Sequence, residues 1–142
     1  GGFYPVSAVL ADKEILGVIK HGEHGSTFGG NPLAAAVGIK SLEVIEDENL
    51  IERSYELGEY FIDKLKQIKS SHVVEVRGRG LWIGYELDES ARKYCVELKK
   101  EGILCKDTHE NIIRFAPPLV ITKEEIDWAL ERIEKVVKSF DL

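Results

Sequence analysis

Eleven residues, Gly22-Glu23-His24-Gly25-Ser26-Thr27-Phe28-Gly29-Gly30-Asn31-Pro32, constrain this chain more than any other stretch, because they run straight into the small-residue segment Leu33-Ala34-Ala35-Ala36-Val37-Gly38. Four glycines let the backbone bend sharply and come close to a ligand. Asn31 is suited to cap a helix, and Pro32 to its first position, since the N–H that proline lacks is one a helix start leaves unbonded. A helix is therefore expected from Pro32 to about Glu46. Backbone amides, the positive end of a helix dipole and the Ser26 and Thr27 hydroxyls at one point could cradle a phosphate. A glycine-rich turn followed by a capped helix accounts for the same residue types.

The remaining composition narrows the partners. A chain of 142 residues, 44% hydrophobic and 31% charged, can bury a core of its own. Its formal charge of −6, with lysines scattered among acids, argues against nucleic acid, which needs a concentrated basic face. No apolar run reaches the roughly 18 residues of a bilayer span, so no membrane partner is expected. Cys95 and Cys105 lie in separate expected elements with no metal-ligand spacing, so two free thiols in a cytoplasmic or otherwise reducing setting are the default and no disulfide is expected. The four histidines, His21, His24, His72 and His109, show no paired spacing, and none is assigned to a metal.

Along the chain, Val6-Ser7-Ala8-Val9-Leu10 reads as a short buried strand, and Asp12 as the cap of a helical turn through Ile19. The helix from Pro32 is apolar around most of its circumference, as expected of one buried between layers. An amphipathic helix follows from about Leu50 to Lys69. Val73–Val76 and Leu81–Leu87 are β-rich runs joined by Arg77-Gly78-Arg79-Gly80, a tight connection whose two arginines could alternatively hold an anion. Ser90 to Glu101 has helical spacing ended by Gly102. Ile103–Cys105 and Ile112–Phe115 read as short strands around a polar turn, Asp107 to Asn111. Thr122-Lys123-Glu124-Glu125 is a capping box that starts a last amphipathic helix running to near Phe140. From about residue 70 the pattern is an α+β unit, antiparallel strands with helices on one face.

Four motifs in this order carry a resemblance: Gly1-Gly2-Phe3-Tyr4-Pro5-Val6-Ser7-Ala8-Val9-Leu10, His24-Gly25-Ser26-Thr27-Phe28-Gly29-Gly30-Asn31-Pro32-Leu33, Arg77-Gly78-Arg79-Gly80-Leu81, and Ile113-Arg114-Phe115-Ala116-Pro117-Pro118-Leu119. Together they resemble the C-terminal part of class III pyridoxal-phosphate aminotransferases. Within that class, Tyr4–Ser7, Gly22–Thr27 and the run from Thr108 to Ile121 look most like the ornithine aminotransferases, with the acetylornithine and 4-aminobutyrate branches as nearest rivals.

The resemblance implies the fold class: α/β with an α+β small domain, the C-terminal part of a fold-type I transferase. Residues 1–48 would end the large domain and its mixed sheet, and residues 49–142 would form the small domain with its linking helix. It further implies that the Schiff-base lysine lies upstream of Gly1, so that no catalytic residue is assigned here and the piece alone should be inactive. The absence of methionine fits such a piece. The cofactor would be pyridoxal 5'-phosphate. Ser26 and Thr27 would be cofactor-binding, with Thr27 reaching the phosphate held mainly by the neighbouring subunit of a homodimer. Arg114 would be substrate-binding: an arginine within an apolar strand calls for a carboxylate partner, and its planar fork suits one. The substrates would be small amino acids and 2-oxo acids. As a rival of another kind, the chain could be an interaction module that donates ligands without catalysis.

Overall fold

The computed structural model describes residues 2–141; Gly1, which opens the first motif, lies outside them. The chain divides after Asn49 into two compact units.

In the first unit, Lys13–Leu16 forms a single helical turn, α1, and Pro32–Asp47 a long helix, α2. Asn31 caps α2 through its side-chain oxygen, which accepts from the Ala34 N–H at 2.9 Å, and Pro32 occupies the first turn. Two expectations fail here. Asp12 makes no side-chain cap bond to α1. Val6–Leu10 is not a strand, and Val9 and Leu10 are exposed. A strand requires a neighbour for its N–H and C=O groups, and no other segment among the described residues pairs with this one. For the same reason α2, apolar nearly all round, is not covered on both sides. Leu33, Ile39 and Leu42 are exposed, and Ala34 is the one buried residue described between 2 and 49.

The second unit contains the core. Helix α3 spans Leu50–Gln67, β1 Val73–Arg79, β2 Trp82–Leu87, α4 Arg92–Lys100, β3 Lys106–Thr108, β4 Ile112–Phe115 and α5 Lys123–Lys138. The strands form one antiparallel sheet in the order β1-β2-β4-β3. Alternation decides its two faces. Val76, Ile83, Tyr85, Leu87, Ile113 and Phe115 point inward and pack with Phe61, Leu65, Tyr94, Leu98, Ile126 and Ile133 from the helices. The other face carries Arg77, Trp82, Gly84, Glu86 and Arg114. Both halves of the expected capping box start α5, Thr122 accepting from the Glu125 N–H and Glu125 from the Thr122 N–H.

Two boundaries move. Arg77-Gly78-Arg79 continues β1 in register with Trp82–Gly84, leaving only Gly80 and Leu81 as the connection. Gly80, at φ 55, takes the left-handed conformation such a two-residue hairpin demands at its first position. The expected strand at Ile103–Cys105 starts later, at Lys106. The Ile103 N–H is consumed by the Leu98 carbonyl at the end of α4, at 2.9 Å, and Leu104 faces solvent. Among the described residues no helix is long and apolar enough to cross a membrane.

Candidate functional site

The glycine-rich loop is held by its own side chains. Ser26 Oγ accepts from the Gly29 N–H at 2.8 Å, and Asn31 Nδ2 donates to the Phe28 carbonyl at 2.9 Å. Glu23 accepts from the Lys20 N–H at 2.7 Å, which closes the preceding turn. Gly22 and Gly30, at φ 88 and 71, make the bends that an L side chain resists.

These contacts change the expected phosphate cradle. The start of α2 is already capped by Asn31, and Pro32 has no N–H to offer, so the helix end is largely satisfied from within. Thr27 differs: it is exposed, and its hydroxyl has no hydrogen-bond partner among the described residues. A Cβ at Gly25 or Gly30 would meet nothing within 4 Å, so the loop leaves open space on either side of Thr27. The donors this loop leaves for a phosphate are thus the Thr27 hydroxyl and loop amides, while Ser26 is engaged in shaping the turn.

Arg114 belongs to the second unit, in the middle of β4. Its neighbours Ile113 and Phe115 are buried, so alternation sends Arg114 to the open face, where it is exposed and without an ion pair or hydrogen bond among the described residues. The cost of burying it, from which a carboxylate partner was expected, does not arise among the described residues. Register sets Arg114 opposite Gly84 on one side and Lys106 on the other, and Gly84 opposite Arg77. The missing side chain at Gly84 opens a groove between the two arginines, floored by the sheet and walled by Trp82, Thr108, His109 and Ile112.

The two arginines of that groove are not equivalent. Glu75 and Glu86 face each other across β1 and β2, a repulsive pairing on its own, and Arg77 bridges both, with Glu75 at 2.6 Å. The Glu86 carboxylate, and less strongly Glu75, raise the Arg77 pKa. The anion that Arg77 could have held is thus supplied by the chain itself, whereas Arg114 has no such partner among the described residues and its planar fork is open.

Two groupings were not anticipated from sequence. His72, assigned no role, lies against Asp88 at 2.9 Å through Nδ1 and the Phe140 carbonyl at 3.2 Å through Nε2, tying the end of the chain to the loops before β1 and after β2. Cys95 and Cys105, expected in separate elements, lie next to each other, between the Leu98–Ile103 hydrogen bond and the Arg92–Asp107 ion pair. The sequence signal for the second is that they flank the Gly102 turn, which folds the following segment back along α4.

Known proteins resemble both units. The family model for class III aminotransferases matches residues 1–137. The ornithine aminotransferase of Halalkalibacterium halodurans is 63% identical over 138 residues, which is 97% of this chain and 35% of that protein. The one from Staphylococcus carnosus is 67% identical over 136 residues, 96% of this chain and 34% of that protein. The chain therefore spans about a third of the length of these relatives. Among solved structures, an ornithine aminotransferase from Plasmodium yoelii superposes with a TM-score of 0.93 at 46% identity, over 99% of this chain and 38% of that one. An acetylornithine aminotransferase from Elizabethkingia anophelis gives 0.90, also at 46% identity, over 98% and 38%.

Proposed function

This chain belongs to the class III aminotransferase family, and on that footing we propose that it is the C-terminal portion of an ornithine aminotransferase. The complete protein would move the δ-amino group of ornithine to 2-oxoglutarate, giving glutamate semialdehyde and glutamate, and so connect arginine metabolism with proline biosynthesis. The observation that carries this reading is the identity of 62–67% to ornithine aminotransferases over nearly the whole chain. Pyridoxal 5'-phosphate would supply the electron sink for the carbanion chemistry.

The parts assigned to this chain are binding and orientation. Thr27 donates its free hydroxyl to the cofactor phosphate, and Ser26 holds the turn that presents it. The exposed apolar surface around α2 and residues 3–19 supports a role as an interface, with the rest of the polypeptide and with a second copy in a cytoplasmic homodimer whose active sites lie between subunits. Arg114 receives a substrate carboxylate on the open sheet face, where Arg77, already neutralised by Glu75 and Glu86, does not compete.

The nearly equal structural likeness to an acetylornithine aminotransferase, 0.90 against 0.93 in TM-score at the same 46% identity, sets the test. The complete protein, loaded with cofactor, should turn over ornithine with a far higher kcat/KM than N-acetylornithine or 4-aminobutyrate. The reverse order would move the assignment to another branch of the family, and no transamination of any of the three would leave the chain as a binding module.

A further inference from the structure

Helix α4 and the segment that follows it lie side by side in a regular register. At one end the Leu98 carbonyl accepts from the Ile103 N–H at 2.9 Å. At the other, Arg92 pairs with Asp107 at 3.1 Å. Stepping three residues back along the helix from Leu98, and two residues forward along the extended segment from Ile103, reaches Cys95 and Cys105; the same step again reaches Arg92 and Asp107. The cysteines are the middle rung of a three-rung ladder, bracketed by the Leu98–Ile103 hydrogen bond and the Arg92–Asp107 ion pair, which sets their side chains next to each other. Both are free; Cys95 is buried, and Cys105 is partly exposed.

We propose that Cys95 and Cys105 form a reversible intramolecular disulfide on oxidation by hydrogen peroxide, stapling α4 to the edge of the sheet. The two thiols play different parts. The neighbouring Cys105 lowers the Cys95 pKa against the opposing effects of burial and Asp107, with Arg92 and Lys106 acting in the same direction, whereas Cys95 and burial raise the pKa of Cys105. Cys95 is accordingly the attacking sulfur. An S–O bond forms at Cys95 as the peroxide O–O bond breaks, and the hydroxide released leaves as water with the Cys95 proton. The Cys105 sulfur then attacks Cys95: the S–S bond forms, the S–O bond breaks, and a second water leaves with the Cys105 proton. Two thiols are oxidised by two electrons in total and one peroxide is reduced to two waters; a dithiol reverses the change by exchange.

The staple would act on the candidate site through β3. Among the described residues that strand pairs with β4 alone, and Lys106, next to Cys105, sits opposite Arg114. Oxidation would anchor the edge that borders the Arg114 groove.

The test uses the reduced chain, treated with hydrogen peroxide in native buffer and then alkylated in denaturant. The expected result is an intact mass lower by two hydrogens, no alkylation, a peptide pair linked through Cys95 and Cys105, and full reversal by dithiothreitol. In Cys105→Ser the reaction should stop at a sulfenic acid on Cys95 that dimedone captures. Oxygen-added products on one cysteine of the wild-type chain with the other still alkylated, or linkage between two chains, would overturn the proposal. The wild-type masses decide the matter even if the variant does not fold.

Discussion

Gly58 of α3 lies directly on Gly80 of the β1–β2 connection: a Cβ built on Gly58 would meet the Gly80 carbonyl carbon and oxygen at 2.2 Å. Ser54, one turn earlier, accepts from the Leu81 N–H at 3.2 Å, so helix and hairpin meet backbone to backbone. In an exposed helix, glycine to alanine stabilises by about 1 kcal/mol. Here the added methyl must push the hairpin off the helix, an overpacking cost of about 1–3 kcal/mol. Gly58→Ala should therefore lower the urea midpoint of unfolding; an increase would mean that the helix and hairpin take up the methyl without overpacking.

Arg114 should separate function from stability. It is exposed and unpaired among the described residues, so Arg114→Gln should leave the melting temperature nearly unchanged. In the complete protein the same change should raise KM for the oxo acid about tenfold or more, as expected when a charged hydrogen-bond donor is lost. Unaltered steady-state kinetics would remove Arg114 from substrate binding.

Thr27 and Ser26 should differ in kind. Thr27→Ala, which removes a hydroxyl with no internal partner, should weaken cofactor affinity of the complete protein roughly tenfold without changing its circular dichroism. Ser26→Ala also releases the Gly29 N–H, so its loop should become more susceptible to proteolysis. Equal cofactor affinity in Thr27→Ala and wild type would argue against the phosphate contact.

Asp107 links stability to acid. Hydrogen bonds from Lys106 and then Arg92 hold its carboxyl at about 2, below the ordinary 3.8. A carboxyl depressed in the folded state contributes stability above its unfolded pKa and loses it as pH falls through the folded value. Asp107→Asn should thus flatten the decline of melting temperature between pH 4 and pH 2, while costing stability at pH 7. Parallel curves for the two proteins would show that the pair contributes nothing on folding.

The two units should also differ when separated. The hydrophobic core cluster lies entirely between Phe61 and Val137. Residues 50–142 alone should melt cooperatively, whereas residues 1–49, with Ala34 as the one buried side chain described, should not. A non-cooperative melt of the longer piece would mean that its core depends on the preceding segment.

What was legible from sequence follows a physical line. Helix starts are local, so Asn31-Pro32 and the Thr122–Glu125 box could be read directly, and each cap is found where expected. Strict alternation along Ile112-Ile113-Arg114-Phe115 sufficed to set Arg114 apart from its apolar neighbours, because successive residues of a strand face opposite ways. Pairing is not local. Val6–Leu10 has strand composition but finds no partner strand among the described residues, and Ile103–Cys105 loses its place in the sheet because the end of α4 takes the Ile103 N–H first.

By itself, then, the sequence determined the elements that begin with a cap, the residue types at the loop and the family they belong to. Only the tertiary structure decided which groups remain available. Glu75 and Glu86 meet Arg77 across two strands, which removes one arginine from the groove and leaves the other open. Cys95 meets Cys105 because a turn at Gly102 folds the chain back along its own helix. Both outcomes depend on register between segments, and register is set by the packing of the whole sheet and its helices rather than by any residue's own preference.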